Sequence, residues 1–423
     1  MTAAADPPGA PEPTAAPEPV PPYGESTRAV HGPAPTVPAQ PPLGLPVYRT
    51  AAFGFDSAED YRDVLAGERA GYAYSRYDNP TADAFAAAVA ALEGAGLDRE
   101  VVGQPFASGM AAISAALWTL TRSGGRVVAP REIYGGTYSM LTRVLARFGV
   151  RVDFVDGTDP AAVRAAVGGG ADVVWAETLA NPTMSVADLP ELAEAAHGAG
   201  AALVVDSTFA SPVVCRPLEW GADIIVHSAT KYIGGHSDAT GGVAVGDPAR
   251  LAALRLTRVD TGSSLAPDEA FLLNRGLATL PLRVSRQCRS ALAFATAMAA
   301  HPRIVRVDYP GLATHRDHTL ARRLFDAGPD GTRFGAVVTV TPAGGQAAGL
   351  ALCNGLRLAT VATSLGGTHS VVSHVASTTH RQFDAAVLAA AGIDPGAVRI
   401  SVGLEDVADL VADVTRALDE LPD

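Results

Sequence analysis

Residues 202–231 read ALVVDSTFASPVVCRPLEWGADIIVHSATK. Two short apolar runs, Ala202–Val205 and Ile224–Val226, each give way to polar residues, Asp206 in one case and His227-Ser228 in the other. Runs of this length and β-branched content fit strands covered on both faces, and ligands of such sheets collect at the carboxyl ends of the strands. Lys231 follows at one of these ends, 25 residues after Asp206. It is the only lysine among 32 Lys+Arg. Arginine replaces lysine where a positive charge suffices, but not where an amine must lose its proton and attack. A lone lysine in an arginine background is therefore a candidate for chemistry, with chance survival on the surface as the alternative.

The same alternation extends outward. Arg126–Pro130, Val150–Val155, Val173–Ala176 and Gly242–Val245 read as further strands, with helices expected around 137–148, 160–168 and 187–199. Strand–helix alternation at this spacing predicts an α/β domain with a mostly parallel sheet. From about 266 the pattern changes to a long helix over 285–300. A smaller α+β unit follows, with strands near 304–308, 335–341 and 398–402 and a closing helix over 405–419. The expected organisation is a tail over 1–24, an arm over 25–70, a large domain over 71–265 and a small domain over 266–423. The tail is rich in Pro and Ala, with 14 of the 31 prolines in the first 46 residues, and is expected to be extended or disordered.

Composition removes several classes. At 48% hydrophobic and 18% charged the chain can bury a large core. A net charge of -12 and a pI near 5.3 argue against nucleic-acid or anionic-membrane partners. Three scattered cysteines without a CxxC spacing argue against zinc and disulfides, and no metal is expected. No apolar run spans a bilayer and no secretory signal opens the chain, so a cytoplasmic enzyme is the expectation.

Five constellations carry chemistry. Ser228-Ala229-Thr230-Lys231 puts hydroxyls beside an amine, as an aldehyde cofactor with a phosphate requires, although alone it equally fits a lysine at a helix start. Asp206 can keep a pyridine nitrogen protonated, or can simply cap the next turn. Ser108-Gly109-Met110 opens an alanine-rich helix whose free amides attract phosphate; the other reading is an ordinary serine cap. Tyr74-Ser75-Arg76 offers bidentate phosphate contacts and a phenol, or is a solvated aromatic turn. Arg399, in a strand of the C-terminal unit, suits an amino-acid carboxylate or a surface ion pair.

In combination these pieces resemble the Cys/Met-metabolism family of pyridoxal-phosphate enzymes, which contains cystathionine γ-synthase, cystathionine γ-lyase and methionine γ-lyase. The resemblance runs from about Thr27 to the C-terminus. It also takes in Asn79-Pro80-Thr81, Tyr134-Gly135-Gly136-Thr137, Glu177-Thr178 with Asn181-Pro182, Gly234-Gly235-His236-Ser237-Asp238, Arg275-Gly276-Leu277, Ser364-Leu365-Gly366-Gly367 and Arg399–Asp406. It implies the fold-type I transferase fold, with pyridoxal 5′-phosphate joined covalently to Lys231, which would also shuttle protons. Asp206 would pair with the ring nitrogen, and Asn181 would lie near the 3-oxygen. Ser108, Gly109, Met110, Ser228 and Thr230 would hold the phosphate. Tyr74 and Arg76 would reach a neighbouring subunit's cofactor in a homotetramer of two catalytic dimers. Tyr134 would stack on the ring and exchange protons, and Arg399 with Ser364 would hold the substrate carboxylate.

The chain departs from the family pattern at four places. Ser207 stands for the usual Asn, His369 for a Glu, Val375 for the Pro of His-Pro-Ala-Ser, and Gly136 for the cysteine typical of methionine γ-lyase. The His369 change is expected near the distal substrate end, where cystathionine's amine would lose a negative partner. The expected reaction is γ-elimination or γ-replacement on an L-amino acid with a Cγ leaving group, with acyloxy and halide groups among the candidates. The alternatives are a housekeeping cystathionine enzyme or methionine γ-lyase, an aminotransferase of the same fold, and a non-catalytic relative.

Overall fold

The computed structural model describes residues 24–30, 40–381 and 383–422. The expected tail therefore lies almost wholly outside the described residues. A short helix, Glu25–Val30, buries nothing and belongs to an N-terminal unit ending at Gly44. The chain from Leu45 onward forms one compact unit containing two main sheets.

The larger sheet has seven strands: β1 Val102–Phe106, β2 Arg126–Pro130, β3 Arg151–Val155, β4 Val173–Glu177, β5 Ala202–Asp206, β6 Ile224–Ser228 and β7 Gly242–Gly246. Their order is β1-β7-β6-β5-β4-β2-β3. All pairs from β6 to β3 are parallel, while β7 runs antiparallel to both β6 and β1. The mostly parallel sheet expected from the sequence is present. Strand β1 is not evident from the sequence, because Gly103 and Pro105 interrupt its apolar pattern; proline is tolerated there because β1 is an edge strand.

Successive side chains on a strand point to opposite faces, and the core divides accordingly. Val128, Val174, Leu203, Val205 and Ile225 pack with Phe85, Val89 and Leu192 on one face. Val127, Trp175, Val204, Ile224 and Val226 pack with Ile113, Leu117 and Leu254 on the other. This parity decides which face receives chemistry. Glu177, Asp206 and Ser228 follow Trp175, Val204 and Val226 by two residues, so all three side chains emerge on the face of the helix Gly109–Leu120.

The expected helix over 137–148 is corrected. It is an α-helical turn Gly135–Ser139, a π-helical segment Met140–Val144 and a 3₁₀ turn Leu145–Phe148. Thr142 Oγ1 donates to the Tyr138 carbonyl at 2.7 Å, a side-chain bond that competes with the regular ladder. The long helix also starts earlier than expected, at Leu280, where Pro281 sits in the first turn and needs no amide partner.

After β8 Ile304–Asp308, a two-residue ribbon pairs β9 Ala327–Gly328 with β10 Gly331–Thr332. The second main sheet joins β8 to β11 Val337–Pro342, β12 Thr360–Val361, β13 Val371–His374 and β14 Val398–Ser401, in the order β12-β13-β14-β11-β8. Strands β12 and β13 are not evident from the sequence, since both are short and mixed with hydroxyl residues. Arg399 lies in register with Thr339 on one side and Ser373 on the other. Among the described residues no helix is long and apolar enough to cross a membrane.

The approach of β7 to the Gly109–Leu120 helix tolerates no side chain. A Cβ on Gly242 would lie 2.2 Å from the Ser108 carbonyl oxygen and 2.9 Å from the Gly109 nitrogen. Gly242→Ala is expected to cost about 1–3 kcal/mol by forcing backbone apart, read as a lower midpoint in denaturant unfolding.

Candidate active site

Lys231 sits in a tight loop just past β6. Its amide donates to the Ser228 carbonyl at 3.1 Å, and its carbonyl accepts from the Gly235 amide at 2.7 Å. Gly235 has φ +69, and a Cβ there would strike the Arg283 guanidinium at 1.9 Å. That guanidinium donates to the carbonyls of Tyr232 at 2.8 Å, Ile233 at 3.2 Å and Gly276 at 2.7 Å. Arg283 thus clamps the loop from beneath, and burial lowers its pKa to about 10. One turn further along the same helix, Gln287 Nε2 donates to the Gly367 carbonyl at 2.8 Å. Sequence reasoning missed both residues. The available signal was their position on the apolar stripe of the helix, with Leu280, Val284, Ala291 and Phe294.

The lysine meets the second sheet through Ser364. Nζ donates to Ser364 Oγ at 2.8 Å. Ser364 has φ +80, a conformation that side-chain-bearing residues adopt at a cost. Its carbonyl accepts from Arg399 Nη2 at 3.1 Å, and Arg399 Nη1 donates to Asn181 Oδ1 at 3.1 Å. Arg399 is 4% exposed, and its Nε is buried without a hydrogen-bond partner among the described residues. A buried guanidinium held by neutral acceptors, with one donor free, suits an incoming carboxylate. Burial, then the Arg399 charge, lowers the Lys231 pKa to about 8.

Asp206 accepts from the Thr208 amide at 3.0 Å, and Thr208 Oγ1 in turn accepts from the Ser228 amide at 2.8 Å. Burial raises the Asp206 pKa, while the Thr208 bonds oppose that rise. Ser207 is fully buried and receives a 3.0 Å bond from Thr178 Oγ1. Beside them the helix Gly109–Leu120 begins. Ser108 Oγ caps it by accepting from the Ala111 amide at 3.1 Å. Gly109 lies so close to β6 that a Cβ would be 2.5 Å from the Ser228 side chain. Thr230 Oγ1 closes the rim by accepting from the Gly241 amide at 3.1 Å. A glycine-lined helix start, a carboxylate at a strand end and a low-pKa lysine match the phosphate, ring nitrogen and aldehyde of pyridoxal phosphate.

Tyr134 covers the site from the β2 side. Its amide donates to Glu177 Oε1 at 2.6 Å. A Cβ on Gly136 would lie 2.5 Å from the Tyr134 ring and 2.8 Å from Met110 Sδ, so the absent side chain leaves room for the ring. Burial, then Asp206 and Glu177, raise the Tyr134 pKa.

The remaining candidates lie apart from this cluster. Tyr74 bridges to Ala52, and Arg76 donates to the Val259 carbonyl at 2.8 Å while stacking over Tyr77 at 4.7 Å. None of these contacts involves Lys231. His369 is exposed, with Nδ1 3.2 Å from Thr368 Oγ1. Its loop is fastened by Glu405, whose two oxygens take the Ser370 amide at 2.6 Å and hydroxyl at 2.8 Å. Val375 is fully buried in a small apolar cluster with Phe383 and Leu388.

The chain is similar to proteins of known class over nearly its whole length. An L-methionine gamma-lyase of Pseudomonas putida is 41% identical over 397 residues, covering 93% of this chain and 97% of the relative. The crystal structure of cystathionine gamma synthase from Xanthomonas oryzae pv. oryzae, in complex with aminoacrylate and cysteine, superposes with a TM-score of 0.82. It is 36% identical, covering 89% of this chain and 93% of that one. A Campylobacter jejuni structure described as an O-acetylhomoserine (thiol)-lyase carries N′-pyridoxyl-lysine-5′-monophosphate. Its TM-score is 0.84 at 29% identity, covering 94% of this chain and 100% of that one. Residues 26–419 match the model of one family, and the chain is a member of it: the Cys/Met metabolism PLP-dependent enzymes.

Proposed function

We propose that the protein catalyses γ-elimination or γ-replacement on an L-amino acid carrying a leaving group at Cγ. The observation that carries this reading is the contact of Lys231 Nζ with Ser364 Oγ beside a buried, carboxylate-ready Arg399. Pyridoxal phosphate, when bound, supplies an electron sink for the substrate's α-carbon. Arg399 holds the α-carboxylate and so sets which face of Cα meets the lysine. Lys231, in its neutral form, takes the α proton and then serves the β-carbon. Tyr134, from the segment after β2, protonates the departing group. Tyr74 and Arg76, which make no contact with their own chain's lysine, are assigned to the cofactor phosphate of a neighbouring subunit in a homotetramer.

The substrate reading is narrower. Position 369 itself offers an exposed imidazole in place of a carboxylate, and the neighbouring Glu405 carboxylate is committed to the Ser370 amide and hydroxyl. This favours a leaving group without positive charge, such as acyloxy or halide, over cystathionine. A second reading is supported by the relative named L-methionine gamma-lyase, since a methyl thioether is also uncharged. Incubating the enzyme with O-acylhomoserines, γ-halogenated amino acids, methionine and cystathionine, and following keto acid and released group, separates these. Turnover of cystathionine at least tenfold above the others would defeat the narrower reading.

The amine itself gives a second test. Capture of pyridoxal phosphate by the apo protein needs neutral Lys231, so its rate is expected to rise through about pH 8 and then level off. Removing the neighbouring positive charge in Arg399→Met raises the lysine pKa and moves that rise to higher pH. Lys231→Ala abolishes stable, coloured cofactor binding, measured by absorbance after gel filtration.

A further inference from the structure

Glu177 ends β4 beside Asp206, which ends β5, and the two are direct register partners. Cross-strand partners project to the same face, so the two carboxyl groups share one environment. Glu177 is 7% exposed. Two adjacent carboxylates in such surroundings do not both ionise readily. Burial, then the charge of Asp206, pushes Glu177 up to about 8. The titratable groups facing it are Asp206 from β5, and Glu132 and Tyr134 from the segment after β2.

We propose that Glu177 is a positioning residue that works as a neutral carboxylic acid, its oxygen fixing the Tyr134 backbone while Asp206 remains the one anion of the pair. The 2.6 Å bond from the Tyr134 amide favours the anion but is outweighed by burial and Asp206, and it needs only an acceptor oxygen, which a protonated carboxyl retains. Tyr134 begins its short helix with no side-chain cap of its own, so Glu177 is its side-chain anchor from outside the segment. Neutrality at Glu177 also spares the Tyr134 phenol a second nearby negative charge, which would make it a poorer proton donor. The inference rests on the role proposed above for Tyr134, but its first test does not.

That test is the pH dependence of the thermal midpoint of the apo protein, wild type against Glu177→Gln. A carboxyl whose folded pKa is raised contributes stability below its ordinary range and loses it as pH rises through the folded value. From pH 5.5 to 8.5 the wild type is expected to lose at least ~2 °C relative to Glu177→Gln, which has no proton to lose. A constant gap between the two would overturn the proposal, because it means that the carboxyl is already ionised. In the loaded enzyme Glu177→Gln is expected to turn over at least ten times faster than Glu177→Ala, and to lack the alkaline decline that Glu177 imposes. Equal rates for the two variants would remove Glu177 from any part in holding Tyr134. Failure of every substrate in the panel would count against the reaction class and leave the apo measurement standing.

Discussion

The site depends on keeping two cations, the Lys231 amine and the Arg399 guanidinium, close together with no anion among the described residues bonded to either. Both would normally recruit a carboxylate on burial. Instead Arg399 spends its donors on Asn181 Oδ1 and the Ser364 carbonyl, and Lys231 on the Ser364 hydroxyl. Neutral acceptors satisfy hydrogen bonding without quenching charge, so the guanidinium keeps its pull on a substrate carboxylate. The same lack of an anion lets burial and Arg399 lower the lysine pKa, which makes the amine available as a base. An aspartate in place of Asn181 would improve local electrostatics and undo both effects.

The carboxyl groups, of which Asp206 is the anion, are kept on the other side of the site. Asp206 and Glu177 stand at adjacent strand ends of the large sheet, while the guanidinium belongs to the second sheet. A substrate with an α-carboxylate and an α-amine therefore meets positive charge on one wall and negative charge on the other. Strand parity enforces this separation: a one-residue slip of β5 would turn Asp206 to the opposite face and into the core.

Much of this was legible because it depends on local spacing. The strand ends at Asp206 and Ser228, the helix start at Ser108, and the isolation of Lys231 in an arginine-rich chain are all properties of short segments. What escaped depends on closure between distant segments. Nothing near residue 177 announces that Glu177 will hold the amide of Tyr134, 43 residues earlier. Arg283 reads as a polar interruption of an apolar stripe until the loop it clamps is folded over it. Strand β1 hid behind a proline whose missing amide matters little at a sheet edge. The irregular stretch after Tyr138 breaks no sequence rule, because Thr142 fits a helix as well as it fits the bond that distorts one.

The helix Leu280–Ala299 explains how two loops from different sheets are brought to hydrogen-bonding distance. Arg283 grips the loop carrying Lys231, and Gln287 grips Gly367, three residues beyond Ser364. Four residues of helix separate the two grips by about 6 Å along its axis. One rigid element therefore sets the spacing between the lysine loop and the serine loop, and neither loop has to find the other by its own flexibility. This also accounts for the strained serine. Gly366, packed 2.7 Å from the Tyr232 amide at its hypothetical Cβ, holds the loop close above the lysine, and Ser364, at φ +80, meets Nζ with its hydroxyl. The cost of that conformation is offset by bonds that only a correctly spaced pair of loops can form. The geometry of the chemical centre is thus decided by two polar residues on a buried helix face, neither of which takes part in the chemistry.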